Sequence, residues 1–321
     1  MTRSANTLEE EEIISVIWKE IRRPQGKDPF DDDVAWVANK TVKYIIEKAD
    51  MLVASTDCPK QMTPPQIAKK SITSCVSDFA AKGVKPTYCI VSIGLPKRLA
   101  TKKFVAGLGG GFAKAQKRYG VEIIAGDVNA TASDLVIDCS IFGFADSVVR
   151  RSGARPGDLV GVSGPFGHQS AGLMLLLYEA RTNDSVFKKR ALQSVLEPVA
   201  RLEIGTRIAS YLSSSIDSSD GLALSLYHLA ESSDVSIEID SLPTCAGVEA
   251  FAKLNAVSAS ELVLFGGEEY EIVCTFDSKY ESLLNHFGIT AIGSVARRSG
   301  RPVVSLNGKK IQRRGWLHFQ D

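Results

Sequence analysis

The chain has 321 residues, 44% hydrophobic and 23% charged, and its 38 basic and 37 acidic side chains leave a formal net charge of +1. That length favours two domains with substantial cores, and the composition excludes a disordered chain. The even charge balance leaves no electrostatic footprint for nucleic acid, and no apolar run is long enough to span a bilayer.

Residues 8–21 carry apolar positions at helical spacing behind an acidic first turn, which complements the helix dipole. This polar, acidic start does not resemble a signal peptide. Short β-rich runs follow at 34–37, 42–46 and 51–54. Thr63-Pro64-Pro65 then supplies an N-cap with proline in the first turn, and the pattern predicts a helix to about Lys82 with Gly83 just past its end. Residues 88–93 read as a strand, 102–119 as a helix ending at Gly120, and 121–125 and 135–144 as strands of one sheet. Around residues 150–158 the chain turns polar and rich in turn formers, which puts a domain boundary between 1–150 and 151–321. Beyond it, strands are expected at 159–163, 235–239, 270–276 and 291–295, and helices at 170–178, 199–212 and 222–230. Asn307-Gly308 between two short β-rich runs is a hairpin signal. The fold class is α/β or α+β in two halves.

Six cysteines are scattered without a CxxC pair, and they read as reduced core residues of a cytoplasmic protein. The four histidines show no ligand spacing, so any metal must be held by oxygen. Six aspartates stand at or near junctions between apolar runs and turns: Asp33, Asp50, Asp78, Asp127, Asp217 and Asp220. Carboxylates at the mouths of several strands suit hard cations such as Mg²⁺, which in turn hold polyphosphate.

Each of these acids also has an ordinary reading as a turn or cap residue, and for a lone Gly126-Asp127 a β-turn is the commoner one. Asp78, in the last turns of its helix, faces the unfavourable end of the dipole, which weakens a purely helix-stabilising role. Ser215-Ile216-Asp217-Ser218-Ser219-Asp220 precedes a helical pattern; an N-cap accounts for Asp220 and leaves Asp217 unexplained. Gly266-Gly267-Glu268 precedes a strand, where Glu268 could accept hydrogen bonds from an amino-bearing ligand. Gly109-Gly110-Gly111 costs helix stability, which hints at close packing or a nucleotide against the backbone; a helix starting only at Phe112 explains it equally well. No Walker A sequence, GxGxxG fingerprint or GxSxG elbow occurs.

In order along the chain, Asp31-Asp32-Asp33-Val34-Ala35, Asp50-Met51-Leu52-Val53, Ser77-Asp78-Phe79-Ala80-Ala81-Lys82-Gly83, Ala125-Gly126-Asp127, Arg151-Ser152-Gly153-Ala154-Arg155-Pro156-Gly157-Asp158, Ile216-Asp217-Ser218-Ser219-Asp220-Gly221-Leu222, Gly266-Gly267-Glu268-Glu269-Tyr270-Glu271 and Gly315-Trp316-Leu317-His318-Phe319 resemble the thiamine-monophosphate kinase family. That family lies in the superfamily of aminoimidazole ribonucleotide synthetase and selenophosphate synthetase. The resemblance implies a two-domain PurM-like fold whose N-terminal sheets pair in a homodimer. It also implies ATP-dependent phosphorylation of thiamine monophosphate to thiamine diphosphate, with several Mg²⁺ ions and no protein nucleophile.

Carried over residue by residue, the resemblance makes Asp33, Asp50, Asp78, Asp127, Asp217 and Asp220 metal ligands. Gly126, Asp127, Arg151 and Ser219 become ATP contacts, and Glu268 and Trp316 substrate contacts; Asp57, by its own position seven residues beyond Asp50, is expected to face the substrate. Three positions depart from the family pattern: Asp31 and Ala125 replace glycines, and Asp57 stands where bacterial members usually carry a histidine. The alternatives are a relative with another phosphate acceptor, or a Mg-nucleotide scaffold without turnover. Selenophosphate synthetase is disfavoured because no cysteine precedes Cys58.

Overall fold

The structure is a computed structural model that describes residues 35–38 and 41–316. Strands β1 (Ala35–Ala38), β2 (Tyr44–Val53), β3 (Pro86–Pro96), β4 (Glu122–Thr131) and β5 (Val136–Ala145) form one sheet in the order β1-β2-β5-β3-β4. Only the β3–β4 pair is parallel. Helices α1 (Pro64–Ala81) and α2 (Lys102–Tyr119) cover one face and close a core around Ile72, Val76, Phe79, Cys139 and Ile141. The other face leaves Met51, Tyr88 and Phe144 exposed.

The second half contains β6 (Leu159–Val162), α3 (His168–Leu177), α4 (Ser185–Leu196), α5 (Leu202–Ile208), β7 (Leu212–Asp217), α6 (Leu222–Ser233), β8 (Ser236–Ile239), α7 (Val248–Leu254), α8 (Ala259–Phe265), β9 (Ile272–Phe276), α9 (Glu281–His286), β10 (Thr290–Ala296), β11 (Val304–Leu306) and β12 (Lys309–Lys310). Its seven strands lie in the order β12-β11-β8-β10-β6-β9-β7. The expected α/β class in two layered halves is what the chain forms.

Helix α1 starts as expected: Gln66 Oε1 reaches back to accept from the Thr63 N–H at 2.9 Å, and the prolines occupy a turn whose N–H groups have no helical partner. The hairpin at Asn307-Gly308 also forms, with φ of 49° and 75° and Leu306 opposite Lys309. Helix α2 runs through all three glycines. A Cβ on Gly111 would come 2.2 Å from the Pro65 carbonyl oxygen, whereas Gly109 and Gly110 face open space. Close packing of α2 on α1 therefore accounts for Gly111 and leaves the other two unexplained.

Several expectations need correction. The runs at 42–46 and 51–54 are one ten-residue strand, so Asp50 lies within β2 and does not open a strand. Asp127 likewise lies inside β4, because the sheet extends through residue 131 and no turn forms at Gly126-Asp127. The expected helix at 199–212 shrinks to α5 followed by a 3₁₀ turn at Ala209–Tyr211, and Leu212 already belongs to β7. Ser213, Ser214 and Ser215 hid that strand, since their hydroxyls supply no apolar alternation; Ser213 and Ser214 bond Thr275 at 3.1 and 2.7 Å. Helices α4, α7, α8 and α9 were not anticipated. The expected helix at 8–21 and the expected ligand Asp33 lie outside the described residues.

Candidate active site

Helix α1 is the member common to both halves. Gly205 lets α5 approach it so closely that a Cβ there would sit 1.9 Å from the Ala80 carbonyl oxygen. Lys82, fully buried just past its end, donates to the Ser215 carbonyl at 2.7 Å. From this helix Lys70 and Asp78 point to where the two halves meet.

Three loops of the second half are laced together there by their backbones. Glu268 N–H donates to the Ser219 carbonyl at 2.5 Å, Tyr270 N–H to that of Ser218 at 3.0 Å, and Trp316 N–H to that of Asp220 at 2.9 Å. Closeness explains the glycines: a Cβ on Gly267 would lie 2.7 Å from the Ser219 oxygen and one on Gly315 2.2 Å from the Asp220 oxygen. Asp217, Ser219, Asp220, Glu268 and Trp316, expected from sequence to share a site, are brought together by this lacing. Gly221 takes the N-cap position of α6, so Asp220 is released from the capping role that could have explained it.

Tyr270 lies buried at the centre. Its hydroxyl reaches Glu268 Oε1 at 3.4 Å, and its pKa is raised well above the ordinary value, first by burial and then by the charges of Glu268, Asp50, Asp217 and Asp57. Charges from three segments of the chain therefore act on one phenol. Glu268 has φ of +62°, unusual for a residue with a side chain, and its carboxylate also accepts from Gln169 Nε2 at 3.0 Å and from Lys70 Nζ at 2.5 Å. Trp316 is 55% exposed at the edge of this cluster.

Asp50 and Asp78 lie on the two sides of the sheet–helix interface, Asp50 on β2 with a hydrogen bond to Ser74 of α1 and Asp78 on α1 itself. Asp78 is 6% exposed and pairs with Lys48 Nζ at 3.1 Å. Burial raises the pKa of Asp50; Lys48 opposes the shift, and Asp57 and Asp138 add to it. Asp57 was expected to face a substrate. Its carboxylate accepts from Val53 N–H at 2.6 Å and Thr56 Oγ1 at 2.9 Å, so it closes its own turn at the edge of the site.

Asp127 is set apart. Asp50 aligns with Cys139, Val91 and Gly126 on the core side, while Asp127 aligns with Ser92, Asp138 and Met51 on the uncovered side. Gly126 has its own reason, since a Cβ would lie 2.4 Å from the Val91 carbonyl oxygen. Arg151 is half-buried in the segment joining the halves, beside a cavity of about 330 Å³ lined by Lys82, Arg150, Ser152 and Ser213. Among the described residues, no three carboxylate, thiol or imidazole side chains converge closely enough to hold a metal ion by themselves.

Sequence reasoning missed Lys70, Lys48, Tyr270 and the Arg201–Glu271 pair. Glu271 is 2% exposed; it accepts from Arg201 Nε at 2.8 Å and Ser163 Oγ at 2.6 Å, and pairs its other oxygen with Arg201 Nη2. A charge inside an otherwise apolar strand start was the one signal available for Glu271. For Lys70, the cue was a cation on the apolar face of α1.

Residues 31–145 match the model of the AIR synthase related protein, N-terminal domain. The thiamine-monophosphate kinase of Nitrosopumilus maritimus is 36% identical, covering 98% of this chain and 99% of that protein. That of Pyrococcus horikoshii is 34% identical, covering 98% and 97%. Among solved structures, AaThiL complexed with AMPPCP and TMP superposes with a TM-score of 0.87 at 30% identity, covering 99% of this chain and 100% of that one. With relatives this similar over nearly their whole length, the chain belongs to the thiamine-monophosphate kinase family.

Proposed function

We propose that the chain transfers the γ-phosphoryl group of ATP to the phosphate of thiamine monophosphate, giving thiamine diphosphate. The observation that carries this is the near-complete match to a kinase structure holding an ATP analogue and TMP, with Asp217, Ser219, Asp220, Glu268 and Trp316 gathered in one place here. Glu268 and Trp316 serve the thiamine moiety, Trp316 by stacking, and the Asp57 turn bounds the same end. Gly126, Asp127, Arg151 and Ser219 serve the nucleotide.

Both reactants are anionic, and two unit charges about 4 Å apart repel by roughly 4 kcal/mol at an effective dielectric of about 20. Mg²⁺ fits the donors present: they are carboxylates and hydroxyls, and Ser218 Oγ, buried beside Asp217, has no hydrogen-bond partner. Asp50, Asp217 and Asp220 would hold it, with Asp33 and Asp78 as further members of the set, whereas Asp127 stands on the other side of its sheet from Asp50. When bound, Mg²⁺ would supply neutralising charge between the two phosphates. A few carboxylates suffice, since Mg²⁺ keeps waters and takes phosphate oxygens as its other ligands. A phosphate monoester is already ionised near pH 7, so the protein needs no strong base, and in-line transfer proceeds by positioning.

The assay is formation of thiamine diphosphate from ATP with thiamine and thiamine monophosphate offered together. Product from the monophosphate alone supports the reading; ATP binding without turnover identifies a scaffold. A phosphoprotein formed from ATP alone and competent to pass its phosphate on would overturn direct transfer. We also propose that the sheet face bearing Met51, Tyr88 and Phe144 pairs with a second copy; a monomer by light scattering at working concentration counts against this. No helix among the described residues is long and apolar enough to cross a membrane, and all six cysteines are free, in keeping with a cytoplasmic location.

A further inference from the structure

We propose that Lys70 is a positioning residue for the thiamine side of the site, holding Glu268 and the Asp57 turn in fixed relation. This inference rests on the reading of Glu268 as a substrate contact. Lys70 is 2% exposed on α1, and its ammonium lies 2.5 Å from Glu268 Oε1 and 2.5 Å from the Asp57 carbonyl oxygen. Asp57 ends the helical turn that follows β2, and Glu268 comes from the loop before β9, so one buried cation joins both halves at the substrate end.

A buried ammonium is costly unless it is paired and hydrogen-bonded, and here the pairing is selective. Tyr270 feels the charges of Glu268, Asp50, Asp217 and Asp57, and those acids repel one another. Without Lys70, that repulsion drives the Glu268 side chain outward, toward the solvent it already partly meets. With Lys70 in place, Oε1 is taken by the ammonium and Oε2 by Gln169 Nε2, and the carboxylate has one orientation. The left-handed backbone at Glu268 is held by the same contacts, together with the bond from its N–H to the Ser219 carbonyl. Arg151 and Asp127 lie outside this arrangement and Ser219 joins it only through its backbone carbonyl, so the larger effect falls on the phosphate acceptor.

The experiment compares Lys70→Met, Lys70→Arg, Glu268→Gln and the Lys70→Met/Glu268→Gln double variant in steady-state kinetics, titrating thiamine monophosphate and ATP separately. Melting temperatures are recorded for each. Lys70→Met raises the KM for thiamine monophosphate by about tenfold or more, the scale for truncating one partner of a buried charge pair, with the KM for ATP little changed. Lys70→Arg restores part of the loss, and the double variant is no worse than Lys70→Met alone. Equal rises in both KM values overturn the inference, because a general structural defect produces them. If Glu268→Gln raises the KM for thiamine monophosphate and Lys70→Met does not, the inference fails while the role of Glu268 stands. If Glu268→Gln also leaves it unchanged, the role of Glu268 fails and the inference falls with it. Should Lys70→Met melt below the assay temperature, Lys70→Arg decides by the same split between substrates.

Discussion

Replacing Arg201 with methionine isolates the clamp beneath the site. Glu271 immediately precedes β9, and its carbonyl accepts from Ser218 N–H at 2.8 Å, so its position governs the loop carrying Asp217 and Asp220. Its side chain is 3% exposed and that of Arg201 36%, so Arg201→Met strands a buried carboxylate with Ser163 Oγ still donating to it. Breaking a buried pair typically costs 3–5 kcal/mol; the half-open arginine side admits some water, which points to the lower end, about 3 kcal/mol. For a protein of this size that is a fall of roughly 4–5 °C in melting temperature. Arg201→Met/Glu271→Gln removes the stranded charge and is expected to recover at least about half of the loss. Differential scanning calorimetry on both variants is the assay. A loss below about 1 kcal/mol for Arg201→Met, or a double variant no better than the single, would refute the reasoning.

Asp217→Asn should lower turnover by about a hundredfold or more with little change in melting, as expected for an electrostatic contributor to transfer; normal turnover at limiting Mg²⁺ removes Asp217 from the metal set. Lys48→Gln frees Asp78 from its ion pair, and the Mg²⁺ concentration for half-maximal rate should fall about fivefold, the equivalent of the ~1 kcal/mol that a part-exposed pair is worth; an unchanged Mg²⁺ dependence means that Lys48 and the metal do not compete. Glu269 is held up to about 8, against 4.5 in the free chain, first by burial, with Gly167 N–H opposing. The folded protein therefore keeps a proton that the unfolded chain has lost, and stability should decline as pH rises from about 4.5 to about 8. Glu269→Gln should flatten that slope in denaturant titrations, and a wild-type–variant difference constant across the window would exclude Glu269 as its source.

Much of the frame was legible because its signals are local. Thr63-Pro64-Pro65 and Gly83 bracket α1, Asn307-Gly308 makes its hairpin, and Asp217 to Asp220 stand between an apolar residue and a helix, where the structure also has them. Asp50 and Asp127 were placed at strand ends because their polar neighbours looked like turns. β2 alternates between a covered and an uncovered face, and the edge strand β4 is exposed over residues 124–130, so polar residues sit in regular structure there.

By itself, the sequence determined the class, the family motifs and the abundance of oxygen donors, since composition, turn chemistry and short spacings depend only on neighbours along the chain. Only the tertiary structure decided which acids meet around Tyr270, that Asp127 lies on the other side of its sheet, and that Lys70, Lys48 and Arg201 answer particular carboxylates. Arg201 and Glu271 are 70 residues apart, and no local pattern encodes such a pairing. Charge interactions depend on distance and burial in space, and those exist only once α1 has brought the two halves together.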